Sequence, residues 1–168
     1  MLRAKFVSPH LPRLYLLGAI VWAIDLSTKL WAISNLSQRE PLKVIGSFLQ
    51  LTFVRNSGAA FSLGQGFTIV FSFFAIAVLC LIIYFAPRIT SKGWSWVLGL
   101  TIGGVLGNLT DRILREPGIL RGHVIDWIQL PRWPVFNIAD SAIVIAACIA
   151  IVLSFRNIPP IAPMIEKF

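Results

Sequence analysis

The chain has 168 residues, 57% of them hydrophobic and only 13% charged, with a mean hydropathy of +0.79. That composition excludes an ordinary water-soluble domain and a disordered segment, and it indicates a chain that lives in lipid. The net charge of +8 does not make a nucleic-acid binder, because the basic residues are scattered over termini and loops without a stripe or a recognised motif.

Four apolar stretches qualify as spans, at 14–33, 67–86, 94–112 and 135–155, each near the ~20 residues that cross about 30 Å of hydrocarbon. Helices satisfy their own backbone there, so the expected fold is an all-α polytopic membrane protein of one domain, residues 1–168. The first span carries Asp25 and Lys29 and lacks a small-residue exit, so it is not read as a cleaved signal peptide. The connection that follows, 34–66, is not disordered. Its segment 43–56 is rich in β-branched and aromatic residues, with Leu49, Leu51 and Phe53 alternating with Gln50, Thr52 and Val54. This predicts a half-buried strand bounded by turns at Gly46-Ser47 and Asn56-Ser57-Gly58, in a small sheet on the outer membrane surface.

The second and third spans are joined by a short connection, 87–93, and form a helical hairpin. Gly99, Gly103 and Gly107 recur at spacing four in the third span with Gly104 beside them, which lets another helix approach closely. The loop 113–134 holds a strand-like piece, 123–130, in which Asp126 shares a face with Val124 and Ile128. Pro134 is expected in the first turn of the last helix, where its missing N–H does no harm. Cys80 and Cys148 fall within spans and are read as buried, unbridged thiols. Lys and Arg on the two sides of the four spans tie at seven each, but they are denser on the side of the termini. Both termini are therefore placed in the cytoplasm.

Charged and amide side chains inside such spans are costly and mark chemistry, a proton path or a pairing. With the last helix starting at Pro134, the helical rise puts Asp140 roughly 9 Å below the outer face, and Asn108 comes to about the same depth. Asp25 also falls in the outer half. Asn108 and Arg112 share a helix face, as do Asp25 and Lys29, and Asn137 lies three residues from Asp140. Three helices thus point carboxylates, cations and amides at one pocket, with Asn56-Ser57-Gly58 available as its roof. His10 and His123 are the two histidines, and neither an HExxH motif nor a Cys/His cluster accompanies them, so no metal and no cofactor is expected. No nucleophile elbow or phosphate loop is present either. Hydrolysis by the carboxylate pair Asp126 and Asp140 is the chemistry left open without a cofactor. An ion-coupled transporter and a non-catalytic assembly factor are the rivals. Against the first stand the almost wholly apolar inner halves of the second and fourth spans.

Five blocks, DLSTK (25–29), NSGAAFS (56–62), GGVLGNLTDRI (103–113), GHVIDW (122–127) and FNIADSAI (136–143), resemble in order and spacing those of lipoprotein signal peptidase, also called signal peptidase II. The resemblance implies a bacterial inner-membrane aspartyl endopeptidase with four transmembrane helices and a small periplasmic β-cradle. Such enzymes cut the signal peptide from diacylglyceryl-modified prolipoproteins just before the lipidated cysteine. Asp126 and Asp140 match the catalytic pair. Asp25, Lys29, Asn56, Gly58, Asn108, Arg112 and Asn137 fall on positions that shape the site or hold substrate. The resemblance also implies a monomer in contact with membrane lipid, an active site near the periplasmic face, and inhibition by globomycin. Ser57, Thr110 and Trp127 stand where Thr, Tyr and Phe are common; Thr110 and Trp127 flank the site, so these two bear on substrate fit and not on the reaction class.

Overall fold

The computed structural model describes residues 7–58 and 68–161. Ala59–Ser62 of the second block, the remainder of the predicted loop to Gly66, and Pro163 of the tail lie outside the described residues. Among the described residues four helices are long and apolar enough to cross a membrane. They are α1 (Leu11–Leu36), α2 (Thr68–Phe85), α3 (Lys92–Leu114) and α4 (Ile138–Phe155). A three-stranded antiparallel sheet completes the fold, with β1 (Leu42–Ile45), β2 (Leu49–Asn56) and β3 (Val124–Gln129) in that order. The long loops predicted between spans thus hold a hairpin and a returning strand.

The helices pack through small residues. A side chain at Gly99 would strike the Leu14 carbonyl, and one at Gly103 would strike Val21 and the Gly18 carbonyl. Gly104 instead faces α4, against the Ala139 carbonyl and Ile143. The glycine stripe therefore brings α1 and α4 onto adjacent faces of α3, where they also touch each other, and α2 packs against α3 as well. Large apolar side chains such as Ile20, Ile24, Phe73, Leu81, Ile145 and Ile151 point outward, as the hydrocarbon of a bilayer demands. Cys80 and Cys148 belong to this outer surface. They are free and exposed to it, not buried as expected, because each lies on the face of its helix away from the bundle.

The sheet sits over the end of α1. Ala32, Leu36 and Ile125 form a buried cluster with Leu51, Phe53 and Trp127 packed against it. The alternation read in 49–53 thus turns Leu51 and Phe53 inward. In β3 the back residues Ile125 and Trp127 join that cluster, while the front residues Val124 and Asp126 face a cavity.

The largest departure from expectation is the start of α4. Pro134 is not in its first turn: residues before Asn137 run extended, and Phe136 exchanges backbone hydrogen bonds with Ile128 at 2.8 and 3.0 Å. The helix begins at Ile138, with Asn137 as N-cap and Asp140 at N3 in a reciprocal capping box. Asp140 is therefore in a first turn and not mid-helix. That turn is nevertheless deep, because Ala139 N–H donates to Asp25 Oδ1 at 2.9 Å, and Asp25 lies about 16 Å down α1 from Leu36. A helix end buried this way needs side chains in place of water, and Asp25 and Asn137 supply them.

Gly107 is the tightest point of this arrangement, since a Cβ there would collide with the Asp25 carboxylate and meet Ala139 Cβ at 3.1 Å. Gly107→Ala is expected to lower stability by about 1–3 kcal/mol, the usual range for overpacking. Thermal unfolding in detergent should show it as a reduced Tm, larger than that of an alanine placed on an exposed helix face.

Candidate active site

A cavity of about 540 Å³ lies between α2, α3 and α4. Phe71, Val78, Val105 and Ile143 give it apolar walls, while Asn56, Asn108, Arg112, Asp126 and Asp140 gather at its polar part. Phe74 and Val144 line it from α2 and α4 and are themselves largely exposed on the outer surface. The cavity is therefore open sideways, toward the lipid-facing side of the bundle.

Asp126 is buried on β3, and Asp140 stands opposite on α4. Asn137 ties them together. Its Nδ2 donates to Asp126 Oδ1 at 2.7 Å, its Oδ1 accepts the Asp140 N–H at 2.9 Å, and its own N–H donates to Asp140 Oδ2 at 3.2 Å. The other oxygens are held from either side. Asn56 Nδ2 donates to Asp126 Oδ2 at 2.9 Å, and Asn108 Nδ2 donates to Asp140 Oδ1 at 2.8 Å. Asn56 is turned the right way because its Oδ1 accepts the Gly58 N–H at 3.0 Å. Burial, and after it the nearby Asp140, push the Asp126 carboxyl up from 3.8 to about 7, against the pull of the Asn56 and Asn137 hydrogen bonds. Asp140 meets N–H donors and the positive end of α4.

The remaining predicted residues fall into two groups. Asp25 and Lys29 form a fully buried ion pair at 2.8 Å, behind the cavity and not in its wall. Arg112 lines the cavity and, among the described residues, makes no ion pair with a carboxylate. Its guanidinium donates to the carbonyls of Gly58 at 2.6 Å and of Ser57 and Gly122 at 3.3 Å, and so fastens the loops above the site to α3. The substrate-fit role expected for Thr110 and Trp127 finds no place in the cavity wall: Thr110 accepts from the Trp22 indole on the outer face, and Trp127 packs edge-on against Trp31. One residue was missed in the sequence. Asp111 is 1% exposed and contacts Lys29 at 2.9 Å, Arg115, and the Ile125 N–H at 3.1 Å. Its place three residues after Asn108, on the same side of α3, was the available signal. Among the described residues no three His, Cys, Asp or Glu side chains cluster as a metal ion would need.

Two aspartates joined by an asparagine, at the wall of an apolar cavity among four membrane helices, are the equipment of a membrane-embedded hydrolase. Comparison with known proteins narrows this. A family model described as signal peptidase (SPase) II matches residues 17–156. The lipoprotein signal peptidase of Streptomyces coelicolor is 42% identical over 147 residues, which cover 88% of this chain and 72% of that protein. That of Leifsonia xyli is 48% identical over 139 residues, 82% of this chain and 64% of the relative. Two solved bacterial membrane enzyme structures superpose with a TM-score of 0.77. They are 27% and 26% identical and cover 94% and 92% of this chain, and 94% and 99% of their own. The chain belongs to the signal peptidase II family and is a multi-pass membrane peptidase.

Proposed function

We propose that this chain removes signal peptides from diacylglyceryl-modified prolipoproteins, cutting before the lipidated cysteine, with Asp126 and Asp140 as its catalytic pair. The observation that carries the reading is the pair itself, bridged by Asn137 where an apolar cavity opens sideways to lipid. The acyl chains of a substrate can stay in the bilayer between α2 and α4 while the peptide reaches the carboxylates. Asn56, Asn108 and Asn137 orient the pair; Arg112 and Gly58 hold the loops over it; Asp25 and Lys29 brace it from behind.

In this mechanism Asp140 is the base and Asp126 holds the proton. Asp140 takes a proton from a water whose oxygen attacks the scissile carbonyl carbon, and Asp126 donates its proton to the carbonyl oxygen. The tetrahedral species then collapses. Its C–N bond breaks, the leaving nitrogen takes the proton from Asp140, and Asp126 recovers its own from the hydroxyl that becomes the new carboxyl.

One chain supplies the whole site, which supports action as a monomer. The reading places the chain in a bacterial inner membrane with both termini cytoplasmic and the sheet end periplasmic. The denser positive charge on the side of the termini supports that orientation. A cell-free assay with purified chain tests it: lipidated precursor is expected to be cleaved, unlipidated precursor spared, and globomycin to block the reaction. Equal cleavage of both precursors would remove the lipid requirement, and cleavage of neither would end the reading.

A further inference from the structure

Behind the carboxylate pair lies a second buried ionic cluster that the chemistry above does not consume. Lys29 Nζ stands 2.8 Å from Asp25 Oδ2, 2.9 Å from Asp111 Oδ2 and 3.0 Å from Asn108 Oδ1. One hydrogen bond and two ion pairs therefore enclose the buried ammonium, with two carboxylates and an amide oxygen all within 3.0 Å. Asp111 is equally committed, with Oδ2 also accepting the Ile125 N–H and Oδ1 paired with Arg115 Nε. Such a cluster is an expensive way to hold helices together, since apolar side chains of similar volume do so at less cost. Its contacts instead converge on the two elements that bear the catalytic aspartates.

We propose that Asp111 is a positioning residue for both catalytic aspartates, holding the Asp126 strand through the Ile125 N–H and the Asp140 carboxylate through Lys29 and Asn108. The proposal rests on the assignment of Asp126 and Asp140 as the reacting pair. The first arm is direct. Ile125 immediately precedes Asp126, its N–H goes to Asp111 and its carbonyl accepts from Asn137 Nδ2 at 3.3 Å, so the backbone entering Asp126 is fixed on both sides. The second arm works through an amide. Lys29 donates to Asn108 Oδ1, as does Asn137 Nδ2 at 3.2 Å, so only the Nδ2 end of Asn108 can face Asp140. Turned over, that amide would set oxygen against carboxylate oxygen. Asp111 and Asp25 together keep the Lys29 cation at the spot from which it enforces this. An acceptor-only side chain at position 111 serves both arms at once.

The charged groups around the pair are Asp25 and Lys29 on α1, Asp111, Arg112 and Arg115 on α3, and the two aspartates themselves. Arg55 on β2 faces Glu116 instead, at 3.9 Å. Neutralising Asp111 leaves the Lys29 field less offset, so Asp126 gives up its proton at lower pH; neutralising Lys29 acts in the opposite sense. The test is the pH profile of kcat and KM for Asp111→Asn and Lys29→Gln on lipidated precursor. Asp111→Asn is expected to lower kcat at least about tenfold, with KM changed by less than about threefold. A misplacement of reacting groups by about 1 Å costs up to ~10²-fold. The alkaline limb should move to lower pH in Asp111→Asn and to higher pH in Lys29→Gln, and Asp111→Glu should return it toward the wild-type position. Should Asp111→Asn fail to insert, Arg115→Gln replaces it: that side chain touches Asp111 from the partly exposed side, and its loss should move the limb to higher pH. An unchanged kcat and limb, or shifts of the same sign in Asp111→Asn and Lys29→Gln, overturn the proposal. Retained turnover in Asp126→Asn would instead overturn the pair itself, whatever Asp111 does.

Discussion

Asp126→Asn and Asp140→Asn are each expected to abolish processing, by on the order of 10³-fold, within the ~10²–10⁴ range that a positioned acid or base contributes. Neither change alters side-chain volume, and each amide keeps an oxygen to accept from the Asn56, Asn108 or Asn137 donors. Insertion and helix content should therefore survive, which circular dichroism of the purified variants checks beside the processing assay. The pH dependence of the wild type separates the two carboxyls further. Asp126, raised to about 7, keeps its proton below that value and loses it above. A step that needs this proton slows as pH rises through about 7, so the alkaline limb of kcat belongs to Asp126. Residual turnover of Asp126→Asn should lack that limb. A wild-type rate that is flat through this range would show that the proton on Asp126 is not used, and near-normal turnover by either variant would remove its aspartate from the mechanism.

Much of this could be read from the chain, for physical reasons. Spans are legible because lipid imposes one composition over one length, and the Gly99, Gly103 and Gly107 stripe is legible because close approach permits little else. The strand within 43–56 declared itself through β-branched alternation between two turns, although its hairpin partner at Leu42–Ile45 did not. Asp126 and Asp140 stood out because a carboxylate amid apolar residues calls for an explanation. What stayed hidden depended on contacts between distant segments. The start of α4 departs from the expected one because Phe136 pairs with Ile128 of β3, and a stretch of extended chain looks as apolar as a helix. Asp111 was overlooked because it sits beside Arg112 and Arg115, where a local salt bridge explains it without reference to Lys29, more than eighty residues earlier. Arg112 does lie near the carboxylates, as its helix face implies, but its hydrogen bonds go to backbone carbonyls, which leave no mark in a sequence.

Asn137 is where stability and chemistry meet, and substitutions there should separate them. Its Oδ1 caps α4, and its Nδ2 bridges toward Asp126 and Asn108, all at zero exposure. Asn137→Ala loses both functions. The lost cap, which leaves the Asp140 N–H without its acceptor, costs about 1 kcal/mol, and the buried Asp126 oxygen left without the Asn137 donor costs roughly 1–3 kcal/mol more. A clearly lowered Tm and a fall in processing of about 10²-fold, the scale of a small misplacement, are expected together. Asn137→Ser divides the effects, because serine is as good an N-cap as asparagine but has no amide with which to reach Asp126. The serine variant should therefore recover a good part of the Tm while its kcat stays close to that of the alanine variant. Recovery of kcat in step with Tm would mean that the asparagine matters only as a helix cap. The carboxylates would then be aligned without the Asn137 amide, which would have no part in catalysis beyond capping α4.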